Sequence, residues 1–278
     1  MPERARPTAR FGWGIGAGLV LLLGVTMLLP FLTMLSTSLM DEFEVLRYPS
    51  TVFPARPRLG NYPAALTALP FWRFFVNSGV VSLAVVAGQV LTSAAAAYAF
   101  ARLRFPGRDR VFLAFLAVLM VPAVVLLIPR FLVVNALGWV DHYAGLITTE
   151  LVSVWGIFLL RQYFQTLPRE LEDAARLDGA GEWQIFWKVV LPLSRPALTT
   201  LAVLGFVDQW KSFLWPLVVT RSVRMQVVEV GIASFHGIYY TNWPYQMAAA
   251  VTAVVPLLVL FFVAQRYFIR GIQLTGLK

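Results

Sequence analysis

Four ionisable side chains, Arg130, Glu150, Asp208 and Lys211, stand inside long apolar runs. At the centre of a membrane helix such a group costs about 2.5–3.5 kcal/mol on insertion scales, so each needs a partner or a task. Asp208, Lys211 and Trp215 fall at i, i+3 and i+7, a spacing that predicts one helix face, with Gln209 and Trp210 beside it. Carboxylates and amides hydrogen-bond hydroxyl groups, and an indole face stacks on the apolar side of a sugar ring. A polar strip facing a solute pathway is one reading of these residues. The other is mutual neutralisation, Asp208 by Lys211 and Glu150 by Arg130. Asn242 lies in the Tyr- and Trp-rich stretch 234–248, which suits an interfacial belt or, alternatively, gating and contact with an outer partner.

Other chemistries find little support. Cysteine is absent, so there are no disulfides, thiolate metal sites or cysteine nucleophiles. The two histidines, His142 and His236, are far apart, which argues against a histidine-based metal site. No serine–lysine, paired-aspartate or zinc motif marks an intramembrane enzyme. Gly12, Gly14, Gly16 and Gly18 follow no strand and lead to no Gly-Lys-Ser/Thr, so they do not make a phosphate loop. Gly12/Gly16 and Gly14/Gly18 instead form small-xxx-small pairs that let another helix approach.

These residues need elements to position them, and the composition says which. Hydrophobic residues make up 59% and charged residues 13% of the 278, the balance of an integral membrane protein. The net charge of +9 is then read from its distribution among loops rather than as a sign of nucleic acid. Six apolar stretches are long enough to cross a bilayer: 12–39, 73–101, 111–134, 143–165, 196–220 and 246–268. The run from Gly12 exceeds a signal-peptide core, so an uncleaved first helix is expected. Arg4, Arg6 and Arg10, then Arg102, Arg104, Arg108 and Arg110, then Arg161, Arg169, Arg176, Lys188 and Arg195, and finally Arg266, Arg270 and Lys278 fall on one side of such a chain. That side is the expected cytoplasm, with both termini in it. The opposite loop at 40–72 holds five prolines and reads as an extended outer segment.

One polar stretch interrupts the apolar pattern on the cytoplasmic side. Residues 169–192, RELEDAARLDGAGEWQIFWKVVLP, read as two short helices around a hinge. Pro168 suits the first helical turn, and Glu170, Glu172 and Asp173 suit the positive end of that helix. Gly179 and Gly181 supply the turn. Trp183, Phe186 and Val190 then form an apolar stripe for the membrane surface or the core. A solvated loop without a partner is the plain reading. Against it stand Ala174 and Ala175 beside Gly179, a helix face low enough for another protein to close over.

The segment Asp173-Ala174-Ala175, three residues, Gly179, nine residues, Val189-x-Leu191-Pro192 resembles the EAA loop of ABC importer permeases. Asp173 stands where that family usually has Glu, and Val189 where it has Ile. FVNS at 75–78, AAYAFARLRFPGR at 96–108, GIFLLRQYF at 156–164, FLWPL at 213–217 and QRYFIRGI at 265–272 are similar to its carbohydrate-uptake branch, the six-span maltose-type permeases. The likeness runs from about residue 30 to Lys278. It implies an all-α, six-helix type I importer permease fold: residues 1–72 hold the tail, first helix and outer loop, and 73–278 the permease core with its loop at 169–192. It implies that Glu172, Asp173, Ala174, Ala175, Asp178 and Gly179 form the coupling helix for a cytoplasmic ATPase used twice, and that ATP and Mg bind there, not to this chain. A second permease, an extracytoplasmic solute-binding protein, membrane lipid and a bacterial or archaeal plasma membrane complete the implied setting. Relatives often read Trp-Asn-Asp/Glu where this chain has Trp210-Lys211-Ser212, and uncharged residues at Arg130 and Glu150, so the family's expectations are weaker at those positions. An ion-coupled secondary carrier using Glu150, Asp208 and Lys211 is the alternative, though no internal repeat supports it.

Overall fold

The computed structural model describes residues 8–49, 51–237 and 240–275, with side chains from 18 to 265 within those ranges. Arg4, Arg6 and Lys278 lie outside the described residues, as do the side chains of Arg10, Arg266 and Arg270 and the surroundings of Gly12, Gly14 and Gly16. Two compact units divide the chain: residues 1–68 with 234–252, and residues 69–233 with 253–278.

In the first unit, α1 (Thr8–Ser38) carries an apolar segment, Gly18–Ser38, whose side chains are almost all exposed over residues 18–32. Leu, Val, Met and Phe facing outward all round a helix belong in lipid or against another membrane helix. Two short helices follow, α2 (Glu42–Val45) and α3 (Asn61–Ala68). Asp41 caps α2 by accepting from the Phe43 amide at 2.9 Å and pairs with Arg58 at 2.5 Å. The Asn61 amide donates to the carbonyls of Ser38 and Met40, both at 2.9 Å. The Pro-rich segment is thus tied back to the end of α1 rather than extended, because capping and side-chain amides satisfy its backbone locally.

The second unit is built around α4 (Phe71–Arg102). It continues with α5 (Arg108–Val118), a 3₁₀ turn at Ala123–Leu126, α6 (Leu127–Ala136) and α7 (Tyr143–Ile147) with a 3₁₀ turn to Glu150. Next come α8 (Val154–Thr166), α9 (Glu170–Leu177), α10 (Glu182–Ile185), a π turn at Phe186–Val190 and α11 (Leu191–Leu193). The remaining helices are α12 (Arg195–Trp210), α13 (Leu214–Val219), α14 (Val228–Ala233) and the later part of α15 (Trp243–Thr275). Helices α8 and α12 pack along α4. They approach through Gly156, where an added Cβ would sit 2.7 Å from Ser93 Oγ and 2.9 Å from a Leu201 methyl. Ala94, Ala97, Leu160, Phe164, Ile185, Val190 and Leu201 fill the contact.

Three helices are long and apolar enough to cross a membrane unbroken: Gly18–Ser38, Phe71–Arg102 and Trp243–Gln265. Three further bent pairs bring the number to as many as six, with bends of 92° between α5 and the 123–136 segment, 41° before α8 and 76° before α12. The sequence predicts apolar spans at 111–134, 143–165 and 196–220, and the structure adds breaks within them that hydropathy does not register. Pro122 and Pro129 lack the N–H that a continuous ladder needs around the first break. Residues 151–153 interrupt the second. The predicted fifth span stops at Trp210, with Lys211 at its cap, and resumes at Leu214.

Candidate functional site

On the cytoplasmic side predicted by the arginines, α9 is held by a buried ion pair. Glu172 is only 3% exposed and meets Arg102 Nε at 2.7 Å, at the end of α4. Arg102 also donates to the Leu167 carbonyl at 2.8 Å, just before α9. Arg176 extends the network to Asp173 and Glu182, both at 2.9 Å, and the Tyr98 hydroxyl donates to Glu182 at 2.5 Å. The Tyr98 hydrogen bond, opposed by burial and aided by Arg176, holds the Glu182 carboxyl below its ordinary range. The helix stops in a Schellman motif: Gly179 N–H donates to Arg176 O and Ala180 N–H to Ala175 O. Gly179 has φ +82°, which a side chain would strain.

This network sorts the predicted coupling residues into two faces. Glu172 turns inward and is an anchor of the helix rather than part of its outer face. Ala175 packs on the core. Asp173, Ala174 and Asp178 are exposed, and so is Leu177, at 90%. Leu177 was not among the residues that the sequence singles out. Its signal was available, since it follows Ala174 by three positions on the same helix face. The predicted stripe splits as well: Phe186 and Val190 are buried, whereas Trp183 is 69% exposed beside Trp187.

Along α4 the structure gathers a second constellation. A cavity of about 360 Å³ is lined by Gln89, Ser153, Trp155, Leu204, Gly205 and Asp208, with Leu201 at its wall. Its backbone wall is the break between α7 and α8. Gln89 Nε2 donates to Glu150 O at 2.9 Å, Thr92 to Leu151 O at 2.8 Å and Ser93 to Ser153 O at 3.3 Å, so polar side chains of α4 satisfy carbonyls that the broken helix leaves free. Asp208 is exposed at the cavity, and its carboxylate has no hydrogen bond or ion pair among the described residues. Gln89, Ser153 and Trp155 were missed in the sequence, because their membership depends on how α4, α8 and α12 meet.

The remaining predicted pathway residues are placed elsewhere. Trp215 is buried, donates to Gly145 O at 3.1 Å and carries the Arg130 guanidinium 4.2 Å above its ring. Arg130 pairs with Glu150 and donates to Thr149 Oγ1 at 2.8 Å, so this half of the expected neutralisation forms. Asp208 and Lys211 do not pair, and the loss of helix after Trp210 takes Asp208 and Trp215 off a common helical face. Lys211 is exposed at the α12 cap, and its charge acts on Glu229, whose carboxyl burial nonetheless pushes up. Trp210 is buried against Phe206 and donates to Ala253 O at 3.1 Å. Gln209 is half-buried and does not line the cavity. Asn242 caps the start of α15, accepting from the Tyr245 amide at 3.0 Å, and lines a cavity of about 230 Å³ with Asp41, Arg58 and Tyr245. Among the described residues no group of three His, Cys, Asp or Glu could hold a metal ion.

Long apolar helices and bent apolar pairs, a polar cavity at one break and a short polar helix offering an exposed leucine are the features of a multi-pass membrane transport subunit. The chain belongs to the family described as "Binding-protein-dependent transport system inner membrane component", which matches residues 89–274. It is 37% identical to the arabinooligosaccharides transport system permease protein AraQ of Halalkalibacterium halodurans, over 90% of each chain. It is 34% identical to the sn-glycerol-3-phosphate transport system permease protein UgpE of Yersinia pestis bv. Antiqua, over 95% of this chain and 97% of the relative. Among solved structures, a chain of a bacterial ABC transporter involved in the import of the acidic polysaccharide alginate superposes with a TM-score of 0.82 at 25% identity, covering 96% of this chain and 100% of that one. A carbohydrate ABC importer permease accounts for these likenesses, and an ion-coupled secondary carrier does not.

Proposed function

We propose that this chain forms, with a second permease subunit, the membrane pathway of an ATP-driven importer for a neutral sugar or oligosaccharide. Solute arrives on an extracytoplasmic binding protein, and ATP with Mg is hydrolysed in two cytoplasmic ATPase copies that grip α9. Six spans with both termini in the cytoplasm of a bacterial or archaeal cell suit the bent helix pairs and the one-sided arginines. The observation that carries the reading is α9: a leucine 90% exposed on a helix whose opposite face is locked by a buried ion pair to a membrane span. A helix so held transmits a partner's motion to α4 instead of absorbing it in a loose loop.

Substrate class follows from the cavity. Asp208 offers an unpaired carboxylate, Gln89 a side-chain carbonyl and Trp155 an indole face. Those groups accept from hydroxyls and stack on a ring, and the carboxylate repels an anionic solute. Lys211, the group that would favour a sugar phosphate, does not line the cavity. The test is assembly and transport by the complex carrying Ala174→Glu. Loss of ATPase copurification and of uptake, with membrane insertion unchanged, is expected. Normal uptake in that variant would overturn the assignment of α9.

A further inference from the structure

The connection between α4 and α5 borders an open cavity that reaches Arg169 at the start of α9 and lies apart from the outer face of that helix and from the solute pathway. It measures about 600 Å³ and is lined by Arg104, Arg108, Arg110 and Arg169, with Asp109 and Phe105. The single acid among these residues is already engaged: Asp109 meets Arg108 at 3.2 Å and Arg161 at 3.6 Å. Arg108 also donates to Leu103 O at 3.3 Å. Arg104, Arg110 and Arg169 have no carboxylate or carbonyl partner among the described residues. Three unneutralised guanidinium groups around one cavity repel one another, and a bound anion relieves that repulsion.

The surroundings specify what kind of anion. The cavity lies where α4 ends at Arg102 and α5 begins at Arg108, the expected cytoplasmic edge of the bilayer. From that edge α5 presents exposed apolar side chains, Val111, Leu113 (63% exposed) and Val118, and Phe105 stands half-exposed at the cavity wall. A cationic cavity continuous with a lipid-facing apolar helix matches an amphiphile, with its phosphate among the arginines and its acyl chains along α5. We propose that this cavity binds the phosphate group of an anionic phospholipid from the cytoplasmic leaflet. Arg104 and Arg169 also line the adjoining cavity with Glu172 and Arg176, so the headgroup neighbours the anchor of α9.

The competing source of the same chemistry is soluble phosphate, and the plain alternative is a basic loop that attracts anionic membrane without a site. The test uses the assembled, delipidated transporter in detergent, with native mass spectrometry after titration by phosphatidylglycerol, phosphatidylcholine or inorganic phosphate. The intact transporter is expected to retain phosphatidylglycerol with a preference of about tenfold over phosphatidylcholine. Combined Arg104→Gln, Arg110→Gln and Arg169→Gln substitutions are expected to abolish that preference. Arg110 is exposed and unpartnered, so Arg110→Gln alone leaves folding intact and is expected to reduce the preference about two- to threefold. A triple variant with unchanged preference overturns the site. Equal retention of both lipids by the unsubstituted transporter, or displacement of phosphatidylglycerol by stoichiometric inorganic phosphate, overturns the lipid assignment.

Discussion

Glu172 and Arg102 show how much a single pair can decide. Both side chains are almost fully buried, at 2.7 Å from one another, and removing one partner leaves the other charged in a low-dielectric site. Arg102→Met is therefore expected to destabilise the protein by about 3–5 kcal/mol, whereas Arg102→Met with Glu172→Leu recovers most of that loss. Thermal unfolding of the detergent-solubilised protein measures both, and equal destabilisation in single and double variants would remove the pair from its role. Asp208 is the opposite case, a carboxylate without a partner. Asp208→Ala is expected to lower uptake at least about tenfold, while basal ATPase activity of the complex stays near its starting value. Lys211→Ala is expected to have the smaller effect on uptake, since it lies outside the cavity lining. The sequence marked both Asp208 and Lys211 as costly charges in an apolar run. It could not separate them, because helical spacing assumes a helix that in fact ends at Trp210. Glu172 was legible as an acid suited to a helix start, but its inward turn depends on Arg102, 70 positions away.

At the scale of elements, glycine and side-chain acceptors decide where helices stop. Two Schellman ends recur, at Gly179 after α9 and at Gly138 after α6, where Gly138 N–H donates to Asn135 O and Trp139 N–H to Val134 O. The glycine hinge after α9 was plain in the sequence, because glycine is the residue that tolerates that backbone. The breaks within predicted spans were not, since hydropathy registers apolar length and is blind to bends. The break before α8 depends on distant polar groups of α4, Gln89 and Thr92, and α4 supports a loop beyond α13 in the same way. Asn77 donates to the carbonyls of Arg224 and Gln226, at 2.9 and 2.7 Å, which gives the FVNS motif a structural role. Asp141 works in the same way. It adopts φ +63° and accepts from the amides of Arg221 and Ser222, both at 2.9 Å. Burial acts to raise its carboxyl, but hydrogen bonds from Ser222 and Arg221 prevail and hold it below the usual range. A depressed carboxyl stabilises the fold above the unfolded-state value and loses that contribution as pH falls through the folded-state value. Asp141→Ala is thus expected to cost about 1–3 kcal/mol at neutral pH, and Asp141→Asn less, since its amide oxygen still accepts and it tolerates the left-handed backbone. Melting curves between pH 7 and 3 should show the aspartate's acid sensitivity disappear in the asparagine variant.

For the whole molecule, the testable quantity is which parts face which side of the membrane. Family membership and the α-helical bundle agree with what the apolar runs and the EAA-like loop indicated, and those features were legible because they are local in sequence. Sidedness rests on a different physical cause, the preference of arginine and lysine loops for the cytoplasm, and no bundle geometry encodes it. The absence of cysteine gives a clean measurement on this chain, because an introduced thiol is the only one it carries. Leu177→Cys, on the fully exposed face of α9, and Tyr48→Cys, exposed in the segment after α1, lie on opposite sides under the proposed topology. In right-side-out cells an impermeant maleimide is expected to label position 48 and spare position 177. In inside-out vesicles the pattern reverses, and assembly with the ATPase protects position 177. Labelling of position 177 from the outside would invert the topology, and with it the placing of α9 and the arginine cavity beside a cytoplasmic partner. Protection of position 177 by the ATPase alone would tie exposure of Leu177 to docking, since at 90% it is far more exposed than Leu171, at 46%, on the same helix.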